Sequence, residues 1–173
     1  SEARLASPKG ECRIGRDALI DAAKGCVLAR IATDTPDTAF AEQMRRDMAA
    51  LRKALALPLF LAVAHRYGGD DRRRLDALGT IGAPLLAAGG VRFHAPARRR
   101  LADVLTAIRL RRTVDALGLA AAPNAEAHLK PEAEMRRLFA GHPEAIDNTL
   151  RVVAACSFSL DQLRYEYPEE ILE

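Results

Sequence analysis

The sequence is poor in aromatic residues, which make up 5% of its 173 residues, and it has no tryptophan. Its core is therefore expected to be aliphatic, because alanine and leucine dominate the apolar residues. Long apolar runs are lacking too: the run at 55–64 is far shorter than the ~20 residues that a transmembrane helix needs. No secretory signal is visible at its start. These absences argue against a membrane protein.

Cysteine is scarce and scattered. Cys12, Cys26 and Cys156 stand far apart and form no CxxC or CxxH spacing. An odd number of isolated cysteines predicts neither a disulfide framework nor a zinc motif. We interpret them as reduced thiols in a cytoplasmic protein.

The signatures of several enzyme classes are absent as well. The glycines at 79–82 and 89–90 lack the spacing and the Lys-Ser/Thr pair of a phosphate-binding loop. The sequence contains no HExxH motif and no DxD-type carboxylate pair that would hold two Mg²⁺ ions for nucleotidyl transfer. The composition is otherwise globular, with 49% hydrophobic and 28% charged residues. We therefore expect no cofactor within this chain.

What the sequence does contain, in its first half, is an alternation of helical periodicity with short apolar runs. The predicted strands cover 26–32, 59–64 and 84–88, and the predicted helices cover 17–24, 38–55 and 72–78. Asp70 or Asp71 is expected to cap the last of these helices. Connections of this length predict parallel βαβ units. Three strands make an incomplete sheet, since a closed barrel needs about eight, so the remainder of the domain is expected outside this sequence.

The second half of the sequence predicts helices only. They cover 98–111, 131–140 and 143–156. The residues expected to face inward are Leu101, Val104, Leu105 and Ile108 in the first helix, and Ile146, Leu150, Val153 and Ala154 in the last. We therefore predict two parts: the carboxyl-terminal part of a β/α domain at 1–95, and a helical segment at 96–173.

Two histidines follow predicted strands. His65 comes directly after the second strand, and His94 lies four residues beyond Gly90, after the third. Parallel α/β sheets bind ligands at the carboxyl ends of their strands, so both histidines are weak candidates for a metal site. Such a site would need further ligands, and the nearby strand ends offer few. We prefer to interpret both as polar surface or supporting residues.

Basic residues cluster in one region. Between positions 92 and 112 there are seven arginines and a single acid, Asp103. A solvated face is the preferred interpretation, and a surface that binds nucleic acid or another polyanion is the alternative. The candidate nucleic-acid-binding residues are Arg98, Arg99, Arg100, Arg109, Arg111 and Arg112.

Three stretches resemble the bacterial C-family DNA polymerases, and in particular the error-prone, damage-tolerant alpha type. They are PKGECRI at 8–14, HAPARRRLADVLTAIRLRRTVDALG at 94–118, and the series from PNAEAHLK to RYEYPEE at 123–170. The resemblance implies a partial PHP (polymerase and histidinol phosphatase) region, a distorted β/α barrel, followed by a helical segment leading towards the palm.

For the whole protein, the resemblance implies DNA replication and translesion repair synthesis by a nucleotidyltransferase that uses Mg²⁺. The implied partners are DNA and other replication and mutagenesis proteins. The residues that carry this chemistry would lie outside this chain.

One departure from the family falls where a metal site would be. Metal-binding PHP domains end a strand with Asp-Val-His, whereas this sequence has Gly90-Val91-Arg92. Glycine supplies no ligand, and the arginine cation would repel Zn²⁺ or Mn²⁺. We therefore predict a degenerate metal site and a non-catalytic scaffold. The alternatives are a metal-dependent PHP phosphoesterase or 3′–5′ exonuclease completed by residues preceding this sequence, and a stand-alone interaction module.

Overall fold

The computed structural model describes residues 7–9 and 11–163. The RYEYPEE stretch at 164–170 lies outside these residues. The described helices and strands are α1 (Arg16–Ala22), β1 (Ala29–Ile31), α2 (Thr38–Leu51), β2 (Phe60–Ala64), α3 (Asp71–Gly79), β3 (Leu85–Ala88), α4 (Arg99–Leu110), α5 (Glu132–Leu138) and α6 (Pro143–Ala155). Short 3₁₀ turns span Pro96–Arg98, Gly118–Ala120 and Leu160–Gln162. Within the described part of the chain, no helix has the length and apolar character needed to cross a membrane.

The three strands form one parallel sheet in the order β1-β2-β3. Ala29 of β1 is in register with Phe60 of β2, and Leu61 of β2 with Leu85 of β3. Because all three strands run the same way, their carboxyl ends meet at one edge of the sheet. The predicted α/β class with three parallel strands is confirmed. The PHP-type barrel remains a prediction.

The core lies against one face of β2. Leu61 and Val63 alternate along the strand and are completely buried. They pack in a cluster with Met44 and Leu51 of α2, Leu75 and Leu78 of α3, Leu85 of β3, Phe139, and Ile146 of α6. Aliphatic side chains thus form most of this core, as the composition predicts.

The last helix of the described chain packs on the sheet. Asn148 of α6 is buried, and its Nδ2 donates a 2.8 Å hydrogen bond to the carbonyl of Leu85 in β3. β3 is an edge strand, and an edge carbonyl without a partner would be costly under a covering helix. Asn148 supplies that partner. This contact joins the two predicted parts of the chain, and their boundary at residue 95 remains a prediction.

The predicted helix at 38–55 ends four residues early, at Leu51. The backbone beyond it pairs with another segment: Gly25 donates to the carbonyl of Ala54, and Ala56 donates to that of Cys26, at 2.9 and 3.0 Å. Because these backbone groups pair with the segment at 25–26, the chain leaves the helix before Leu55, although the apolar periodicity continues to that residue.

The predicted inward face is wrong for α4 and only partly right for α6. In α4, Ala107 is buried, whereas the four apolar residues expected inside are 40–67% exposed: Leu101, Val104, Leu105 and Ile108. The side of α4 that faces the protein is anchored by Asp103, whose Oδ1 accepts a 2.9 Å hydrogen bond from the backbone N–H of Ala122. A polar anchor and a small side chain therefore determine which side faces in.

In α6, Ile146 is buried as predicted, but Leu150, Val153 and Ala154 are exposed. Ala145 and Asn148 are buried in their place. The helix turns its asparagine towards the β3 edge because that amide pairs with a strand carbonyl. The apolar pattern alone did not indicate this orientation.

Candidate functional site at the carboxyl edge of the sheet

The loops that leave β2 and β3 meet at the carboxyl edge of the sheet. His65, Arg66 and Tyr67 follow β2, while Gly89 and Gly90 follow β3. Arg66 is tied towards the loop after β1, since its guanidinium pairs with the Asp34 carboxylate and also donates a 3.2 Å bond to the Asp34 carbonyl. This edge is where ligands bind in parallel α/β folds, so its side chains form the candidate site.

Asp71 organises the loop after β2. Its carboxylate is 3% exposed and accepts hydrogen bonds from the backbone N–H groups of Arg66 and Gly68, at 2.9 and 3.1 Å. Arg74, also buried, donates to it at 3.2 Å, and His65 Nδ1 lies 3.2 Å away. Asp70 or Asp71 is the predicted helix cap, but Asp71 instead accepts hydrogen bonds from the loop backbone and from Arg74 of α3. Asp70 occupies the cap position without a side-chain capping bond.

These contacts determine the charge of Asp71. Burial alone would raise the pKa of its carboxyl group, because a low-dielectric site disfavours the charged form. The hydrogen bonds from the Arg66 backbone, Arg74 and the Gly68 backbone outweigh burial, with a smaller contribution from the charge of His65, so the pKa is lowered. Asp71 is therefore an ionised structural group around which the loop folds.

Tyr67 lies over this loop in a left-handed backbone conformation, with φ of 58°. The Lys130 ammonium lies 5.1 Å from the centre of its ring, and the imidazole of His65 meets that ring edge-on at 4.9 Å. The Tyr67 hydroxyl donates a 3.1 Å hydrogen bond to Glu134 of α5. A bulky residue at positive φ is strained, and these three contacts hold it in place.

The Tyr67 hydroxyl and its partner have shifted pKa values. Burial, followed by the hydrogen bond and negative charge of Glu134, raises the pKa of Tyr67 to about 12. Hydrogen bonding from Arg137 lowers the pKa of Glu134 to about 2, against burial and with a further contribution from Tyr67. The hydrogen bond to Glu134, together with its negative charge, raises the pKa of Arg137. The three groups form a fixed network of a neutral phenol, a carboxylate and a guanidinium.

The segment at 124–130, which contains the NAEAHLK motif, crosses the edge of the sheet. Asn124 Nδ2 donates a 2.9 Å bond to the carbonyl of Arg66, and the backbone of Arg92 donates a 2.8 Å bond to that of Ala127. Phe93 and His128 form an isolated parallel bridge. The segment therefore joins the loop after β2 to the loop after β3, and it places Lys130 on the Tyr67 ring.

The two candidate metal-binding histidines have different surroundings. His65 lines a cleft of about 380 Å³ together with Arg72, Arg137 and His142. His94 is exposed, and no hydrogen bond of the described residues involves its ring. Across residues 7–9 and 11–163, no group of three or more His, Cys, Asp or Glu side chains is placed to hold a metal ion.

Gly90 and Arg92 stand where the resemblance would place metal ligands. Gly90 adopts φ of 57°, and a Cβ built on it would lie 3.4 Å from the Cβ of Ala64. The left-handed conformation favours glycine, so this residue also has a backbone role in the turn after β3. Arg92 is exposed, and its backbone takes part in the bond to the crossing segment.

The candidate nucleic-acid-binding arginines do not form one face. Arg100 and Arg109 are nine residues apart, about two and a half helical turns, so they lie on opposite sides of α4. Arg99 pairs with Asp103 at 3.5 Å. The remaining three lie at the two ends of the helix: Arg98, Arg111 and Arg112. Their role in binding nucleic acid remains a prediction.

The residues that build this edge were mostly missed in the sequence. The Tyr67-Gly68-Gly69 triplet predicts only a turn, and Lys130 precedes a proline without any catalytic motif. Tyr67 and Lys130 are 63 positions apart, so only the fold brings them together. The NAEAHLK motif was the one signal in the sequence that pointed to this segment. It indicated a family resemblance, but it did not indicate that Lys130 contacts Tyr67.

Comparison with known proteins finds similar sequences among proteins named as DNA polymerases. A protein of Bradyrhizobium sp. (strain ORS 278) named "Error-prone DNA polymerase" is 42% identical over 167 residues, which is 94% of this chain. The chain is homologous to a segment of error-prone DNA polymerases. Proteins of the same name from Rhodopseudomonas palustris (strain BisB5) and Ruegeria pomeroyi (strain ATCC 700808 / DSM 15171 / DSS-3) are 40% and 37% identical, over 98% and 95% of the chain.

The chain spans about a seventh of these polymerases, between 14% and 15% of their length. No protein-family model matches it. The predicted resemblance to the error-prone type is thus confirmed. The alignments cover 94–98% of the chain, which includes both the sheet and the helices after it.

Proposed function

We propose that this chain is part of an error-prone DNA polymerase and serves there as a structural unit. The observation that carries the proposal is 42% identity over 94% of the chain to a protein of that name. In the parent protein the activity would be template-directed nucleotidyl transfer during repair synthesis past DNA damage. Residues outside this chain would bind the Mg²⁺ ions and the DNA substrate. The parent protein would act in the cytoplasm.

The structural role is supported by the residues at the carboxyl edge of the sheet. Tyr67 and Lys130 pack against each other at that edge. The carboxylate of Asp71 accepts hydrogen bonds from the backbone of its own loop. Gly90 and Arg92 do not fit a divalent cation, since one has no side chain and the other is cationic. These features favour a PHP-like region that has lost its metal site.

The open β1 edge of the sheet supports membership of a larger β/α domain. Ile31 in the edge strand β1 is 83% exposed. A parallel edge strand with an exposed isoleucine is typical of a sheet that continues. Further β/α units of the polymerase would pair with β1 and pack a helix over Ile31.

The activity is tested with the complete open reading frame that contains these residues. We expect its product to extend a primer on an undamaged template and past an abasic site, in a Mg²⁺-dependent reaction. A product that ends near Glu173, or that is inactive in both reactions, would remove the proposal and favour a stand-alone interaction module.

The absence of a metal-dependent activity is tested separately. Elemental analysis of the purified chain should give no stoichiometric Zn or Mn, and neither phosphatase nor 3′–5′ exonuclease turnover should be measurable. His65 is the residue to change first, because it lines the cleft with Arg72 and Arg137. Bound metal, with turnover that His65→Ala abolishes, would favour the phosphoesterase or exonuclease alternative.

A further inference from the structure

Helix α4 presents an apolar face to solvent. Leu101, Val104, Leu105 and Ile108 are 50%, 40%, 58% and 67% exposed, and their three- and four-residue spacing places them on one side of the helix. We call these four residues the α4 apolar face. Exposed apolar groups this closely spaced are characteristic of surfaces that bind another chain or segment.

The helix cannot turn this face inward without losing its present anchors. Ala107 is buried on the protein side, and Asp103 binds the backbone N–H of Ala122 at 2.9 Å. Asp103 also pairs with Arg99. The side facing the protein is therefore satisfied by polar contacts, while the apolar face has no covering in the described residues.

The α4 apolar face is flanked by positive charge. Arg100 and Arg109 lie on opposite sides of it, and Arg112 follows the end of the helix; all three are exposed. Within the described part of the chain, none of them forms an ion pair with an acidic side chain. Two copies of the chain meeting through this face would bring like charges together, which costs energy. An acidic partner matches the surface better.

We propose that the α4 apolar face binds an apolar segment with acidic flanks, contributed by the part of the polymerase polypeptide that lies outside these 173 residues. The inference rests on the proposed function, because the relatives are about seven times as long as this chain and supply the additional surface. The contact would attach the PHP-like region to the polymerase body. Its apolar centre would provide affinity, and the arginines at its rim would select the orientation.

The test uses the full-length polypeptide with a photo-crosslinking residue. Leu105→p-benzoylphenylalanine places the probe in the centre of the face, and Arg46→p-benzoylphenylalanine is the control, on the exposed charged side of α2. After irradiation, we expect position 105 to give intramolecular crosslinks to an acidic-flanked peptide outside residues 1–173, in higher yield than position 46.

Three results would overturn the inference. Crosslinks between two copies would assign the face to self-association, and crosslinks to added DNA would assign it to the nucleic acid. A yield at position 105 no higher than at position 46 would mean that the face stays in solvent. Primer extension by the same preparation separates this failure from that of the proposed function, because an active polymerase without the crosslink contradicts only the contact.

Discussion

Replacing Asp71 tests the central claim about the loop after β2, that a buried carboxylate holds it together. In Asp71→Asn the negative charge is lost while the side-chain shape is kept. The amide oxygen can still accept one of the backbone N–H groups of Arg66 and Gly68, whereas Arg74 loses its ionic partner at a site where its side chain is 5% exposed.

The expected loss of stability follows from these contacts. Breaking a buried ion pair from one side costs about 3–5 kcal/mol, because the remaining charge stays buried. The lower end applies here, since the guanidinium of Arg74 also donates to the Ala64 carbonyl. We expect Asp71→Asn to lower the free energy of unfolding by about 3 kcal/mol, which moves a urea midpoint by about 1.5 M if the slope is about 2 kcal/mol per M.

Urea unfolding followed by circular dichroism measures this change. The matched control is Asp70→Asn, one position away, where the side chain is exposed and makes no capping bond. It should change stability by less than about 0.5 kcal/mol. The double variant Asp71→Asn with Arg74→Met should lose less than the sum of the single losses, because both charges of the pair are then gone. An Asp71→Asn chain as stable as the unsubstituted one would refute the role given to the carboxylate.

The pH dependence gives an independent check. The pKa of Asp71 is lower in the folded state than its ordinary value, so its contribution is fully present above about pH 4 and is lost as the pH falls through the folded pKa. The stability difference between the unsubstituted chain and Asp71→Asn should therefore shrink below about pH 4. A difference that grows on acidification would contradict the lowered pKa.

Three further predictions follow from other contacts. The phenol of Tyr67 should ionise near pH 12, as measured by ultraviolet difference against Tyr67→Phe. Glu134→Gln should lower that pKa, and an unchanged pKa would contradict the hydrogen bond. Because the folded pKa is raised, Tyr67 contributes stability below about pH 10 that is lost as the pH rises. Gly90→Ala should destabilise the chain by about 1 kcal/mol because of the positive φ at that position. Gly141→Ala, with open space around it, should change the stability by less than about 0.5 kcal/mol. Equal effects of the two substitutions would refute the backbone role of Gly90. Asn148→Ala should cost about 2 kcal/mol by leaving the Leu85 carbonyl unpaired under α6, and a neutral result in urea unfolding would show that water replaces the amide.

The arrangement of strands and helices could be predicted from the sequence because it depends on local patterns. The apolar runs at 59–64 and 84–88 were long enough to form buried strands, and the helical spacing between them implied parallel connections. The expectation that further strands lie outside this sequence came from counting the predicted strands, and it remains a prediction. The family resemblance came from side chains in order along the chain, which needs no knowledge of contacts.

The direction in which a helix faces could not be predicted in the same way. The periodicity of α4 predicted that Leu105 and Ile108 would be buried, and the structure leaves both exposed. Periodicity identifies an apolar side, but it does not say whether this chain or another one covers it. Asp103 decided the question through a bond to Ala122, 19 positions away.

The same distinction between sequence and fold applies to the candidate site. The sequence alone determined that Gly90 and Arg92 offer no metal ligands, since that conclusion depends only on which side chains stand there. Only the tertiary structure placed Lys130 on the Tyr67 ring and turned Asp71 from a helix cap into the acceptor of its own loop. Both contacts depend on distances through space, and side-chain chemistry along the chain carries no information about them until the fold brings the groups together.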